Sequence, residues 1–151
     1  MYAVIRIRGT IGIRNNVKDT LKMLRLDNAN SCAIVAENPT FKGMLELAKE
    51  WITYGEIDKN SLVDVLKKRL RLIGNKRVDE SILKKIGIAS YEALADGLIS
   101  GNNKLRDFKI LQPFFRLTPP SKGFKSVREH HPKGDLGYRG KEINELLMRM
   151  I

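Results

Sequence analysis

The sequence predicts an α+β fold: a β-α-β-α-β core, then a helical extension, then a basic extended segment closed by an amphipathic helix. Three observations predict it. At the N-terminus Ala3, Ile5 and Ile7 alternate with Tyr2, Val4, Arg6 and Arg8, the period of a strand. Helical spacing of apolar residues then alternates twice with short apolar runs. At the other end Ile143, Leu146, Leu147 and Met150 repeat at helical spacing.

The elements follow in order. Tyr2–Arg8 reads as the first strand. After the loop Gly9–Asn15, Asn16 stands where a helix cap belongs, and Val17, Thr20, Leu21 and Leu24 form one buried stripe to about Leu26. Ser31–Glu37 is an apolar run of strand length, and Asn38-Pro39 signals a turn. Thr40 is placed to cap a second helix with Met44, Leu47, Ala48 and Trp51 inward, and Ile52–Ile57 fits a third strand. These make a core over residues 1–58. In residues 59–101, a helix from Asn60 or Ser61 carries Leu62, Val65, Leu66 and Leu70 inward and stops at Gly74-Asn75. Two shorter helices start at Asp79 and Ser90, and Gly101-Asn102-Asn103 is a break. Residues 102–151 are less regular: a strand at Phe114–Leu117, a loop at Pro119–Phe124, little periodicity from Lys122 to Arg139, then the closing helix.

Composition bounds the function. A chain of 151 residues is one domain, or one small domain with an extension. Hydrophobic residues make up 42% and charged residues 30%, which supports a real core. The net charge is +11 and the pI about 9.9, pointing to a polyanion: nucleic acid or an anionic membrane surface. The excess is net +2 over residues 1–57, +3 over 58–100 and +6 over 101–151. No uncharged apolar run approaches the ~18–20 residues of a membrane span. The N-terminus opens on a strand pattern without a signal-peptide layout, so a reducing compartment is expected. The single Cys32 rules out an intrachain disulfide, and with His130 and His131 adjacent no zinc-ligand spacing exists.

Four features suit an RNA partner. If two helices cover the Ala3/Ile5/Ile7 side of three strands, Tyr2, Arg6 and Arg8 face outward, where arginine meets phosphate and an aromatic stacks on a base. The bland alternative is a solvated sheet face. In the loop Gly9–Asn15 two glycines allow close backbone approach, Arg14 supplies charge and a helix N-terminus follows; an ordinary connection would read the same way. Lys18, Lys22 and Arg25 share the outer face of that helix. Lys67, Lys68, Arg69 and Arg71 form a similar run that reads more simply as solvated. The stretch Lys104–Lys133 is net +6, interrupted by Gly and Pro, with Phe114, Phe115 and Phe124 interspersed. With little core of its own, it would self-repel if free and become ordered along RNA; a disordered basic tail is the alternative. His130 and His131, beside Arg128 and Lys133, suit phosphate contact better than acid–base catalysis. Cys32 and Trp51 read as packing.

Several stretches, in this order, resemble a ribosomal family: the large-subunit protein called L-thirty in bacteria and archaea and L-seven in eukaryotes. Ile11-Gly12-Ile13-Arg14, Thr20–Leu26 and Asn38-Pro39-Thr40-Phe41-Lys42-Gly43-Met44 are similar to its core. Thr53–Asp58, Arg71–Asn75, Phe115–Pro120 with Lys122-Gly123, Gly134–Gly140 and Ile143–Leu146 are similar to its longer archaeal and eukaryotic branch. The resemblance implies an antiparallel three-stranded sheet, like a ferredoxin-like fold lacking its last strand. It implies a structural, non-enzymatic role in the cytoplasmic ribosome, contacting large-subunit rRNA, close to 5S rRNA and beside other ribosomal proteins. No cofactor, small-molecule substrate or membrane is implied. Arg14, Lys22, Arg25, Lys42, Gly43 and Arg139 fall on family motifs, and Arg6 and Arg8 at the basic end of the first strand. Lys18, Lys122, Lys125, Arg128, His130 and Lys133 complete the expected RNA-binding set. The turn Asp27-Asn28-Ala29-Asn30 departs from the basic bacterial pattern. A non-ribosomal assembly factor or RNA chaperone, and an RNA-acting enzyme using His130 or His131, are the competing readings.

Overall fold

The computed structural model describes residues 1–101, 103 and 105–151, with the side chains of residues 84 and 85 left aside. Asn102 of the expected break and Lys104, which opens the basic stretch, lie outside the described residues. The chain runs β1 (Tyr2–Arg6), α1 (Asn15–Met23), β2 (Ser31–Val35), α2 (Pro39–Ala48) and β3 (Ile52–Glu56). β1 lies between β2 and β3 and pairs antiparallel with both, Val4 opposite Ala33 on one side and Tyr54 on the other. The β-α-β-α-β order and the antiparallel three-strand centre are therefore present.

The sheet is larger than expected. β4 (Phe115–Arg116) adds antiparallel beside β2, and β5 (Gly137–Tyr138) adds parallel beside β3, giving the order β4-β2-β1-β3-β5. A two-residue strand has no readable period, so β5 left no trace in the pattern. Its approach depends on Gly55, where a Cβ would stand 2.0 Å from the Gly140 carbonyl oxygen. Thr53 Oγ1 donates to the Gly137 carbonyl at 3.2 Å and the Arg139 amide to that of Tyr54 at 2.8 Å, locking the edge in place.

The extension supplies α3 (Lys59–Arg69), α4 (Glu80–Lys85), α5 (Tyr91–Ile99), a 3₁₀ turn at Leu105–Asp107 and α6 (Ile143–Met150). Ser90 caps α5 by accepting from the Ala93 amide. Two cores result. Tyr2 and Val4 pack with Val17, Leu21 and Leu24 and with Leu45 and Ala48 of α2. Ala3, Ile5 and Cys32 pack with Leu62 and Leu66 of α3, Leu94 and Leu98 of α5, and Leu146 and Leu147 of α6. Burying each such leucine contributes about 1.5–3 kcal/mol, so the extension is part of the fold rather than an appendage.

This arrangement corrects the expected open face. α1 and α2 cover the Tyr2/Val4/Arg6 side, the extension covers the Ala3/Ile5 side, and β1 is buried throughout. Other boundaries shift for local reasons. α1 ends at Met23 because Arg25 takes a left-handed conformation, φ 59°, that swings Leu26 into the core. Its first turn follows Arg14, and Asn16 instead accepts from the Val17 amide. α2 starts at Pro39, which needs no N–H partner there; its buried stripe runs through Leu45 and Ala48, leaving Leu47 exposed. α3 ends at Arg69, where Leu70 turns extended, and Gly74-Asn75 forms the tip of a following turn rather than its stop. The segment after residue 102 is no free tail: Leu105, Leu111, Phe115 and Leu117 are buried in the Ala3/Ile5 core, and Leu136 is buried as well.

Candidate nucleic-acid interface

Burial of Val17, Thr20 and Leu21 on one side of α1 leaves its opposite side to solvent. Arg14, Lys18 and Lys22 follow at every fourth position, one stripe about 12 Å long, and Arg25 continues it at the left-handed turn. All four are exposed, and none has an ion-pair partner among the described residues. The end of the helix is held by arginines from elsewhere. Arg106 donates to the Met23 carbonyl at 3.1 Å, a favourable site for a cation at a helix C-terminus.

Arg6 is the other anchor, and here the expectation of an outward arginine is corrected. It is 2% exposed. Its Nη1 donates to the carbonyls of Leu26 at 2.7 Å and Asp27 at 2.6 Å, and its Nε to that of Arg8 at 2.9 Å. Burial pulls its pKa below the usual arginine value. The residue thus fastens the α1–β2 turn to β1. Arg8 is half-buried, its guanidinium 4.6 Å above the Trp51 ring, so Trp51 packs beneath a cation just outside α2. Lys42 is exposed on α2 and pairs with Glu37 at 2.9 Å, and Glu37 also accepts from the Tyr2 hydroxyl. The hydrogen bonds from Lys42 and then Tyr2 hold the Glu37 carboxyl below its ordinary value, and Glu37 raises Lys42. Gly43 sits in the same helix with nothing within 4 Å of where a Cβ would be.

Loop 122–133 is pinned from below. Asp135 is buried; it accepts from the amides of Lys125 and Ser126 with one oxygen and from Arg139 with the other. Gly134 makes the fit possible, because a Cβ there would meet the Glu129 carbonyl oxygen at 2.2 Å. The Asp135 and Leu136 amides donate to the carbonyls of Ser126 and Glu129, and the His131 amide to that of Leu136. The loop therefore presents Lys122, Arg128, His130 and Lys133 outward on a fixed backbone, and Lys125 Nζ rests on the Pro132 carbonyl. Arg139 is not among the outward cations: its side chain is 9% exposed and tied to Asp135. Asp135 and Gly134 carry the loop, yet the sequence marks them only through the Gly134–Gly140 resemblance and a carboxylate four residues before an arginine.

The two histidines diverge. His130 is exposed, whereas His131 is half-buried with its Nε2 3.5 Å from Glu142. Among the described residues no group of three or more His, Cys, Asp or Glu side chains converges, and no helix is long and apolar enough to cross a membrane. Burial pushes the Cys32 thiol up to about 12.

Residues 2–52 match the family ribosomal protein L30p/L7e. The chain is 42% identical over 151 residues to the large ribosomal subunit protein uL30 of Archaeoglobus fulgidus, with 99% of each chain covered. It is 46% identical over 154 residues to that of Thermofilum pendens and 42% identical over 154 residues to that of Nanoarchaeum equitans, in each case over 100% of this chain and 99% of the relative. The chain belongs to the ribosomal protein L30p/L7e family.

The L30p/L7e match covers β1 through the start of β3, which is the layer carrying α1 and α2. The archaeal relatives extend it across α3–α6 and both edge strands. The family is structural rather than enzymatic, which removes the reading of His130 or His131 as a catalytic group.

Proposed function

We propose that this chain is a structural constituent of the large ribosomal subunit in the cytoplasm, held on large-subunit rRNA near 5S rRNA and beside other ribosomal proteins. The observation that carries it is the end-to-end match, at 42–46% identity, to archaeal proteins named for that subunit. The mechanism is electrostatic. Arg14, Lys18, Lys22 and Arg25 on α1, with Lys122, Arg128, His130 and Lys133 on the pinned loop, sit against phosphates and release counterions. Lys42 and Gly43 extend this surface across α2, where the missing side chain lets an RNA backbone come close. Arg6 and Arg139 serve these contacts from inside, Arg6 by holding the α1 turn in shape and Arg139 by holding the loop.

Sucrose-gradient sedimentation of native lysate, with the chain quantified against large subunits at rising salt, tests the assignment. One copy per subunit, retained through a moderate salt wash, is expected. A substoichiometric chain released at modest salt would favour the assembly-factor reading. In the same gradients the double change Arg14→Ala with Lys22→Ala should leave the subunit at lower salt, its salt slope reduced by about two units, while its thermal unfolding stays nearly that of the wild type. Equal retention at every salt would sink the α1 assignment.

A further inference from the structure

A second group of cations gathers at the end of α3. Lys67 and Lys68 are exposed in the last turn of α3, and Arg71, Lys76 and Arg77 follow on the turn beyond it. Arg71 stands opposite Arg77 across an antiparallel bridge. Like charges set directly across from one another are destabilising, and the backbone keeps them so. The Leu72 amide donates to the Lys76 carbonyl at 2.9 Å. The amides of Ile73 and Gln112 tie the turn to residues 110–112, through the carbonyls of Ile110 and Arg71. Gly74 and Asn75, both at positive φ, form the tip. Asp79 and Glu80 line the same cleft as Lys67, Lys68 and Arg77, but no ion pair joins any of these cations to an acid among the described residues.

The α3 macrodipole accounts for Lys67 and Lys68 at a helix C-terminus, but not for Arg71, Lys76 and Arg77, which lie past it. Beside them, Ile73 and Ile110 are 68% and 54% exposed on adjacent backbone. A fixed cluster of unpaired cations around a small apolar knob matches the chemistry of an RNA strand, with phosphates outside and sugar faces between. α3 packs on the face of β1 opposite to α1. Two packing distances of about 10 Å each separate the helices, more than two Debye lengths at physiological salt. The two cationic surfaces therefore cannot share phosphates.

We infer that the end of α3 and the Arg71–Arg77 turn form a second RNA-binding surface, separate from α1, with Lys67, Lys68, Arg71, Lys76 and Arg77 on phosphates and Ile73 and Ile110 against the sugars. It rests on the ribosomal reading. The test measures binding of the full chain to deproteinised large-subunit rRNA across a salt series. One variant carries Lys67→Gln, Lys68→Gln, Arg71→Gln and Arg77→Gln; a second carries Arg14→Gln, Lys18→Gln, Lys22→Gln and Arg25→Gln. Each should lower the salt slope by about three units, and the losses should add when the two are combined. A wild-type slope in the α3 variant overturns this inference alone. A wild-type slope in both overturns the RNA reading as well. Amine-reactive footprinting of the unaltered chain gives a readout without any variant: rRNA should cut the reactivity of Lys67, Lys68 and Lys76 about fivefold. Unchanged reactivity overturns the inference, and protection seen only in the assembled subunit overturns it in favour of a protein neighbour.

Discussion

The two faces of β1 are buried equally well by parts of the chain that look nothing alike. Tyr2 and Val4 meet α1 and α2, whose apolar stripes are short, local and within the L30p/L7e match. Ala3 and Ile5 meet α3, α5 and α6, drawn from as far as Met150, together with Phe115 of an edge strand. The second face has the larger core, and part of it, from Leu105 to Met150, comes from the part of the chain richest in positive charge. The difference teaches that net charge and a scarcity of periodicity do not mark a segment as a tail. A few leucines and one phenylalanine, spaced irregularly, suffice when a sheet face awaits them.

The most severe way to break the comparison is to remove one side of it. A fragment of residues 1–58 leaves Ala3, Ile5 and Cys32 without cover. It should lose cooperative thermal unfolding and bind a hydrophobic dye, the signs of a core without fixed packing. A sharp melt with no dye binding would show that the α1/α2 side suffices alone.

A smaller effect sharpens the role of the buried arginine. Arg6→Met should cost about 2–4 kcal/mol in urea unfolding, because the carbonyls of Leu26 and Asp27 lose their donor inside the protein. Arg14→Ala, exposed on α1, should stay within about 0.5 kcal/mol of the wild type. Similar losses for the two would mean that Arg6 does not hold the turn.

The smallest effect has the opposite sign. Gly43 lies inside α2, where glycine is less favourable than alanine by roughly 0.5–1 kcal/mol, and open space surrounds its Cα. Gly43→Ala should raise stability by about that amount while weakening rRNA binding. Unchanged binding would remove α2 from the interface.

These contrasts also mark what was legible in the sequence. The strand period of β1, the Val17–Leu24 stripe, the Ser90 cap and the closing Ile143–Met150 helix could all be read, because each is a local pattern that burial then obeyed. Alternation gives the side of β1 that Arg6 takes but not what covers that side. Leu47 fits the apolar spacing 44/47/48/51 and Leu45 fits 41/44/45/48, and spacing alone does not choose between them. β5 arises from a pairing across distant sequence, Thr53 with Gly137, and no window of neighbouring residues contains both partners; the Asp135 pin closes a nine-residue loop that has no apolar period to reveal it. On the candidate interface, the α1 cations were legible from spacing. The opposed Arg71 and Arg77 were not, since a turn had first to bring them face to face.

The Asp135 pin carries a thermodynamic consequence for docking. A basic loop that ordered only on its target would lose backbone and side-chain freedom at that moment, and its association would show a large heat-capacity change. Here loop 122–133 already has its backbone hydrogen-bonded to a buried carboxylate and packed against Gly134, where no side chain would fit. Its ordering entropy is lost during folding, so docking of this loop behaves as the meeting of two formed surfaces, with encounter rate set by charge steering and dissociation rate by the phosphate contacts.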